Sequence, residues 1–318
     1  MREKNTRTGK IWIEIGVEWV YNHSVSLKFS EKGGNLRMSY TRIWITGSSG
    51  RLGSALCRLL TNIEYRILPS DLDVPIGDSE AVNHFADVSH PDVIINCAGL
   101  TDVQKCEASP EEAYKANALG ARNLAIAARR IDAKLIQIST DDVFEGTSNK
   151  PLHEFLEPHP VTIYGKSKYA GERLVRELTD KHVIVRSSWI YGAGANDFLH
   201  QVLEAGKKGE PIQVAGDEIS SPTSADALAG FIQKLIESRE YGVYHASCTG
   251  ACTRAEFARE ILRLSGYDEN LVQTTVAGET MRPRFTLLDN MMMRMTGLYE
   301  MPDWKTALTD YFGEKGAR

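Results

Sequence analysis

Three side chains can do carbonyl chemistry if the fold brings them together: Thr140, Tyr164 and Lys168. Tyr164 opens the run Tyr-Gly-Lys-Ser-Lys and so precedes Lys168 by one helical turn, which puts both on one face of a helix. A phenol, with a pKa of about 10, transfers protons poorly at neutral pH unless a neighbouring ammonium stabilises its phenolate. Thr140 closes a β-rich run, Lys134 to Ser139, and is suited to hold a carbonyl oxygen beside that phenol. Alone, Tyr-x-x-x-Lys also describes an ordinary surface pair. Its meaning depends on what surrounds it.

What must surround it is a dinucleotide. Arg42 to Ile45 reads as a short strand ending in Thr46-Gly47, and Ser54 to Leu60 as the helix that follows. Between them Gly47, Gly50 and Gly53 stand three apart, with Ser49, Arg51 and Leu52 in the same loop. At a strand-to-helix junction this spacing permits a tight turn, close backbone approach to a pyrophosphate, and helix-on-strand packing. The next strand, Tyr65 to Leu68, leads to Asp71, whose carboxylate would accept the ribose hydroxyls of NADH and repel the 2′-phosphate of NADPH. Arg51 offers a cation and pulls the other way, so the cofactor is NADPH or NADH.

Further strands are expected at Asp92 to Cys97, Lys134 to Ser139 and Val183 to Arg186, with helices at Pro110 to Arg130 and Ser167 to Leu178. This βαβ rhythm predicts an α/β, Rossmann-type doubly wound parallel sheet over residues 41–190, with ligands at the carboxyl ends of the strands. Residues 191–318 read mainly as a smaller C-terminal substrate-binding lobe. In it, Asn196, Asp197 and Phe198 open a helix to about Ala205, and Gly216 to Thr223 form a loop. A strand near 243–247 returns to the sheet, and Thr253 caps a helix from Arg254 to Leu264. Arg282 is a candidate diphosphate contact, because a guanidinium pairs well with phosphate oxygens.

With 318 residues, 42% of them hydrophobic, the chain can bury a large core. A net charge of −5 gives no reason to expect nucleic-acid binding, and no apolar run is long enough to span a membrane. Five scattered cysteines (Cys57, Cys97, Cys106, Cys248 and Cys252) suit a reduced, cytoplasmic protein. His153, His159, His200 and His245 lack metal-ligand spacing. Residues 1–40 read as an N-terminal extension. Trp12, Ile13, Ile15, Val17 and Trp19 would fill a strand there, yet Glu31 to Gly34 can be encoded by a purine-rich run upstream of Met38, which makes Met38 the expected natural start.

From about Thr41 to Phe312 the chain resembles the dTDP-4-dehydrorhamnose reductase family, a sugar-nucleotide branch of the extended short-chain dehydrogenases. The resemblance runs through Thr46-Gly47 to Gly53, Asn96-Cys97-Ala98-Gly99, Ser139-Thr140-Asp141 with Phe144, and Tyr164 to Glu172. It continues through Arg186 to Gly192, Ser221-Pro222-Thr223, Arg282-Pro283 and Met301 to Trp304. It implies hydride transfer from NADPH or NADH to carbon 4 of dTDP-4-dehydrorhamnose, giving dTDP-rhamnose. Tyr164 would donate the proton, Lys168 would tune it and bond the nicotinamide ribose, and Thr140 would orient the ketone. Asp73 and Val74 would lie by the adenine, and Ala98, Gly99 and Leu100 would flank the cofactor. Trp189 would line the sugar pocket, with Thr101, Val103 and Asp141 as further substrate contacts.

Some members of the family dimerise through a magnesium site. No acidic cluster here identifies one, so no metal ligand is assigned, and a homodimer stays an open assembly. The chain departs from the family at Asp142 (usually Tyr), Thr162 (Asn), Gln104 (Asp) and Glu218 (Gln). Asp142 and Glu218 add negative charge near a site meant for an anionic sugar nucleotide. Two other readings use the same motifs: a nucleotide-sugar epimerase or dehydratase that recycles one bound NAD, and a non-catalytic cofactor-binding regulatory subunit. The absence of a glutamate directly after Asp141 disfavours a dehydratase, and an intact Thr140, Tyr164 and Lys168 set argues against the subunit.

Overall fold

The computed structural model describes residues 29–32, 35–38, 40–62, 64–194, 197–275 and 282–316. The chain divides into two units, 1–39 and 40–318. In the first, Phe29–Lys32 and Asn35–Met38 pair as an antiparallel hairpin; the strand expected around Trp12 to Trp19 lies outside the described residues.

The second unit is built on six parallel strands: β1 (Thr41–Thr46), β2 (Tyr65–Ser70), β3 (Val93–Asn96), β4 (Lys134–Thr140), β5 (His182–Ser187) and β6 (Gly242–His245). They stand in the order β6-β5-β4-β3-β1-β2. The final strand of this sheet is the return expected near 243–247. Because side chains alternate across a strand, an unbroken apolar run serves both faces. Ile43, Ile45, Ile95, Ile136 and Val185 face one way, and Trp44, Ile94, Leu135 and Ile184 the other.

Helices cover each face. α1 (Arg51–Leu59), α5 (Phe198–Lys208), α6 (Ala225–Glu237), α7 (Arg254–Leu264) and α8 (Trp304–Gly316) contribute Leu56, Val202, Phe231, Phe257 and Leu308 to the first layer. α2 (Ser79–Ser89), α3 (Gly120–Arg130) and α4 (Ile163–Leu178) contribute Val82, Leu124 and Val175 to the second. β2 is an edge strand and contains Pro69, opposite Ile45. A proline is tolerated there because an edge residue need not donate to a further strand.

Two boundaries differ from expectation for identifiable reasons. α4 begins at Ile163 and not at Ser167, because the Thr162 hydroxyl caps it by accepting from the Gly165 amide at 2.9 Å. Tyr164 therefore lies in the first turn. The long helix expected over Pro110 to Arg130 is interrupted: Pro110–Tyr114 is α-helical, Lys115–Leu119 is a π-helical turn, and α3 follows. Asn117 in that turn bonds both backbone groups of Leu100, at 2.9 and 3.0 Å, and the Ser167 hydroxyl at 3.0 Å. Such a turn marks functional places more often than ordinary helix does.

Candidate active site

The chain reverses direction across the sheet between β1 and β3, so their carboxyl ends open a crevice. A cavity of about 870 Å³ fills it, running from Gly47, Gly50 and Gly53 past Asp71 and Ala98 to Tyr164 and Lys168. The glycines are required by close approach. Gly47 has φ +63°, and a Cβ on it would lie 2.8 Å from the Ala98 backbone; one on Gly53 would lie 2.2 Å from the Gly47 carbonyl oxygen. Ser49, Arg51, Leu52, Gly99, Leu100 and Thr101 also line the cavity. A smooth backbone cradle at a helix start, with a cavity of dinucleotide size beyond it, fits a nicotinamide dinucleotide.

At the β2 end of the cavity, Asp71 is held rigidly. Its carboxylate accepts from the Ser48 hydroxyl at 2.7 Å, the Ser49 hydroxyl at 3.0 Å and the Ser49 amide at 3.1 Å. Arg51 turns toward Asp197 at 4.0 Å. Asp73 and Val74 do not reach the cavity wall. Asp73 accepts from the Asp71 amide at 2.6 Å, and Val74 packs into the core. Leu72, Pro75 and Ile76 stand at the wall in their place.

At the reacting end, Tyr164 and Lys168 project from α4 into the cavity beside Ser139 at the end of β4. Lys168 Nζ donates to the Ile138 carbonyl at 2.6 Å, and Gly99 lies close by. Burial lowers the ammonium to about 8, with Glu172 opposing the shift. Burial raises the Tyr164 phenol, Asp142 adds to the rise, and a hydrogen bond with Thr140 works against it. Beneath the pair lies a buried network missed in the sequence. Glu172, one turn beyond Lys168, accepts from Ser139 at 2.5 Å and from Arg186 at 2.7 Å, and Arg186 also meets His245. This anchors the end of β4 to α4, and so Thr140 to Tyr164.

A second polar cluster gathers around Asp141. Its carboxylate accepts from Thr286 at 2.5 Å and Ser220 at 3.2 Å. Burial, with Asp142 next to it, raises its pKa to about 7. Arg282 lies 3.8 Å from Asp142. Burial disfavours its charge, but Asp142 and Tyr164 hold the guanidinium's pKa up. Trp189 has φ +43°, a left-handed conformation strained for a bulky residue. Val103 is buried with Cys106 and Ala113 against Tyr164, supporting the phenol from behind. Arg254, which the sequence presents only as the first residue of a helix, stacks on Trp189 at 3.6 Å and pairs with Glu218 at 3.5 Å. Asn196 lies outside the described residues; its neighbour Asp197 caps α5. Among the described residues no group of three or more His, Cys, Asp or Glu is placed to hold a metal ion.

A phenol and an ammonium at the rim of a parallel-sheet dinucleotide crevice make this an oxidoreductase of the extended short-chain dehydrogenase class. Within that class the chain belongs to the dTDP-4-dehydrorhamnose reductase family: the family model described as the RmlD substrate binding domain matches residues 41–316. The dTDP-4-dehydrorhamnose reductase of Streptomyces griseus is 36% identical over 281 residues, covering 84% of this chain and 92% of the relative. The spore coat polysaccharide biosynthesis protein SpsK of Bacillus subtilis is 34% identical, covering 87% and 99%. The crystal structure of dTDP-4-dehydrorhamnose reductase from Bacillus anthracis in complex with NADP superposes with a TM-score of 0.84 at 39% identity, covering 87% of this chain and all of that one.

Proposed function

We propose that the protein reduces the 4-keto group of a nucleotide sugar, dTDP-4-dehydrorhamnose to dTDP-rhamnose, with NADPH or NADH as the reductant. The observation that carries the reading is that Tyr164 and Lys168 open into the same cavity as the glycine cradle. The relatives named as dTDP-4-dehydrorhamnose reductases and the NADP-bound structure support the substrate and the cofactor.

When bound, the dinucleotide supplies a hydride at the nicotinamide. The chain's own residues do the rest. Gly47, Gly50 and Gly53 receive the pyrophosphate, and Asp71 with the wall of Leu72, Pro75 and Ile76 receives the adenosine. Lys168 meets the nicotinamide ribose. Thr140 holds the substrate's carbonyl oxygen, and Tyr164 Oη gives that oxygen its proton as negative charge develops there. Lys168 keeps the phenol acidic enough to do so. A cytosolic setting belongs to this reading, since the five cysteines are all free.

The test is turnover of a panel of dTDP-, UDP- and GDP-linked 4-keto-hexoses, followed by loss of nicotinamide absorbance with each cofactor. One reduced cofactor should disappear per sugar reduced, and Tyr164→Phe should lower kcat by about 10²- to 10⁴-fold. Purified protein that carries one cofactor and interconverts sugars without consuming it would be an epimerase or dehydratase instead.

A further inference from the structure

Arg254 occupies a position that folding alone does not favour. It is the first residue of α7, at the positive end of the helix, where a cation is repelled. Its side chain is only 13% exposed. Arg282 stands near enough that their charges repel: burial first, and Arg282 second, lower the Arg254 guanidinium to about 10. The helix has its own cap, since Thr253 and Glu256 form a capping box without Arg254.

The carboxylates that offset this charge are held loosely. Glu218 is 3.5 Å from Arg254, Asp142 is 3.8 Å from Arg282, and the buried Oδ2 of Asp142 has no hydrogen-bond partner. Arg254 is nearly buried and Arg282 half-buried, and among the described residues each meets its carboxylate only at 3.5 Å or beyond, while a guanidinium fork suits phosphate oxygens. Both lie beside the reacting end. Arg254 stacks on Trp189 at 3.6 Å and on Phe198 at 4.9 Å and feels the charge of Asp141, while Arg282 lies 3.8 Å from Asp142, next to Asp141 in the chain.

We infer that Arg254 is a substrate-binding residue that joins Arg282 in a two-arginine seat for the diphosphate of the sugar nucleotide, and that Glu218 holds its place until the diphosphate arrives. The inference rests on the sugar-nucleotide reading above. The diphosphate takes over the guanidinium of Arg254 from Glu218, and the stacked Trp189 ring keeps that guanidinium aimed. Arg254 touches the part of the substrate that does not react, so its loss raises KM and leaves kcat nearly unchanged.

The test is calorimetric titration of the full chain, without cofactor, with dTDP, UDP, GDP and thymidine. Arg254→Met should weaken the best-bound diphosphate at least tenfold and leave thymidine unchanged. Glu218→Gln, which frees Arg254, should tighten the diphosphate severalfold. Should Arg254→Met fail to fold, Arg254→Lys carries the test: it keeps the charge, loses the fork, and should weaken the diphosphate several-fold. Unchanged diphosphate affinity in the Arg254 variants overturns the inference, and so does an equal loss for thymidine, which would make Arg254 a prop for Trp189. Wild-type protein that binds no nucleoside diphosphate overturns it as well. A wild type that binds diphosphates through Arg254 yet reduces no 4-keto sugar would instead sink the reductase reading and leave this inference standing.

Discussion

Burial lowers the Lys168 ammonium to about 8, and Glu172 opposes the shift. In the proposed mechanism the charged form is the one that keeps the Tyr164 phenol usable. kcat/KM for reduction should therefore fall as pH rises through about 8, and this basic limb should be absent in Lys168→Met, whose activity is lower at every pH. Stability moves the other way. The lysine titrates at 10.5 in the unfolded chain, so below pH 8 the folded protein bears the burden of a buried charge, and between 8 and 10.5 the unfolded chain binds more protons. Folding stability gains from this group as pH rises through that window. Lys168→Met should thus unfold no more easily than wild type at pH 7, by thermal melting, while being nearly inactive. A variant that lost both together would show that Lys168 mainly supports the fold.

The elements around the site are set by backbone contacts with no slack. The Gly47 carbonyl would sit 2.2 Å from a Cβ on Gly53, where α1 leaves the cradle. Gly53→Ala must therefore push α1 off β1. It should destabilise the protein by about 1–3 kcal/mol and weaken NADH and NADPH binding at least tenfold, read by quenching or transfer of nicotinamide fluorescence. Unchanged binding would mean that the pyrophosphate rests elsewhere. Such local constraints are what a sequence displays. Gly47, Gly50 and Gly53 follow a strand at fixed spacing, and Tyr164 and Lys168 sit one turn apart, so these were readable without coordinates. Arg254 was not. Its neighbours Glu218 and Trp189 are remote in the chain and meet it only after the lobe packs, and nothing around Thr253 distinguishes it from any arginine opening a capped helix. Asn117 was hidden for a related reason: the pattern Pro110 to Arg130 is helical throughout, and only contacts with Leu100 and Ser167 reveal the π-helical turn. The turn after β2 aims Leu72 outward and Val74 inward, an alternation that spacing alone does not display.

On the scale of the whole molecule, residues 40–318 hold the complete sheet, both helical layers and every group assigned to the site. A chain beginning at Met38 should therefore fold to the same melting temperature within about 2 °C, since a change of 1 kcal/mol shifts the midpoint by roughly that much in a protein larger than 150 residues. Its kcat/KM should match that of the full chain; a marked loss of either would give residues 1–37 a part in the enzyme. The sheet that carries all of this ends on one side at β2, where Pro69 interrupts the row of outward amides. Another chain's ribbon approaching that margin finds a gap where it needs a donor, which works against extension of the ladder. An imino acid remote from the reacting groups thus blunts a margin of the sheet where a second ribbon would otherwise meet an unbroken row of donors.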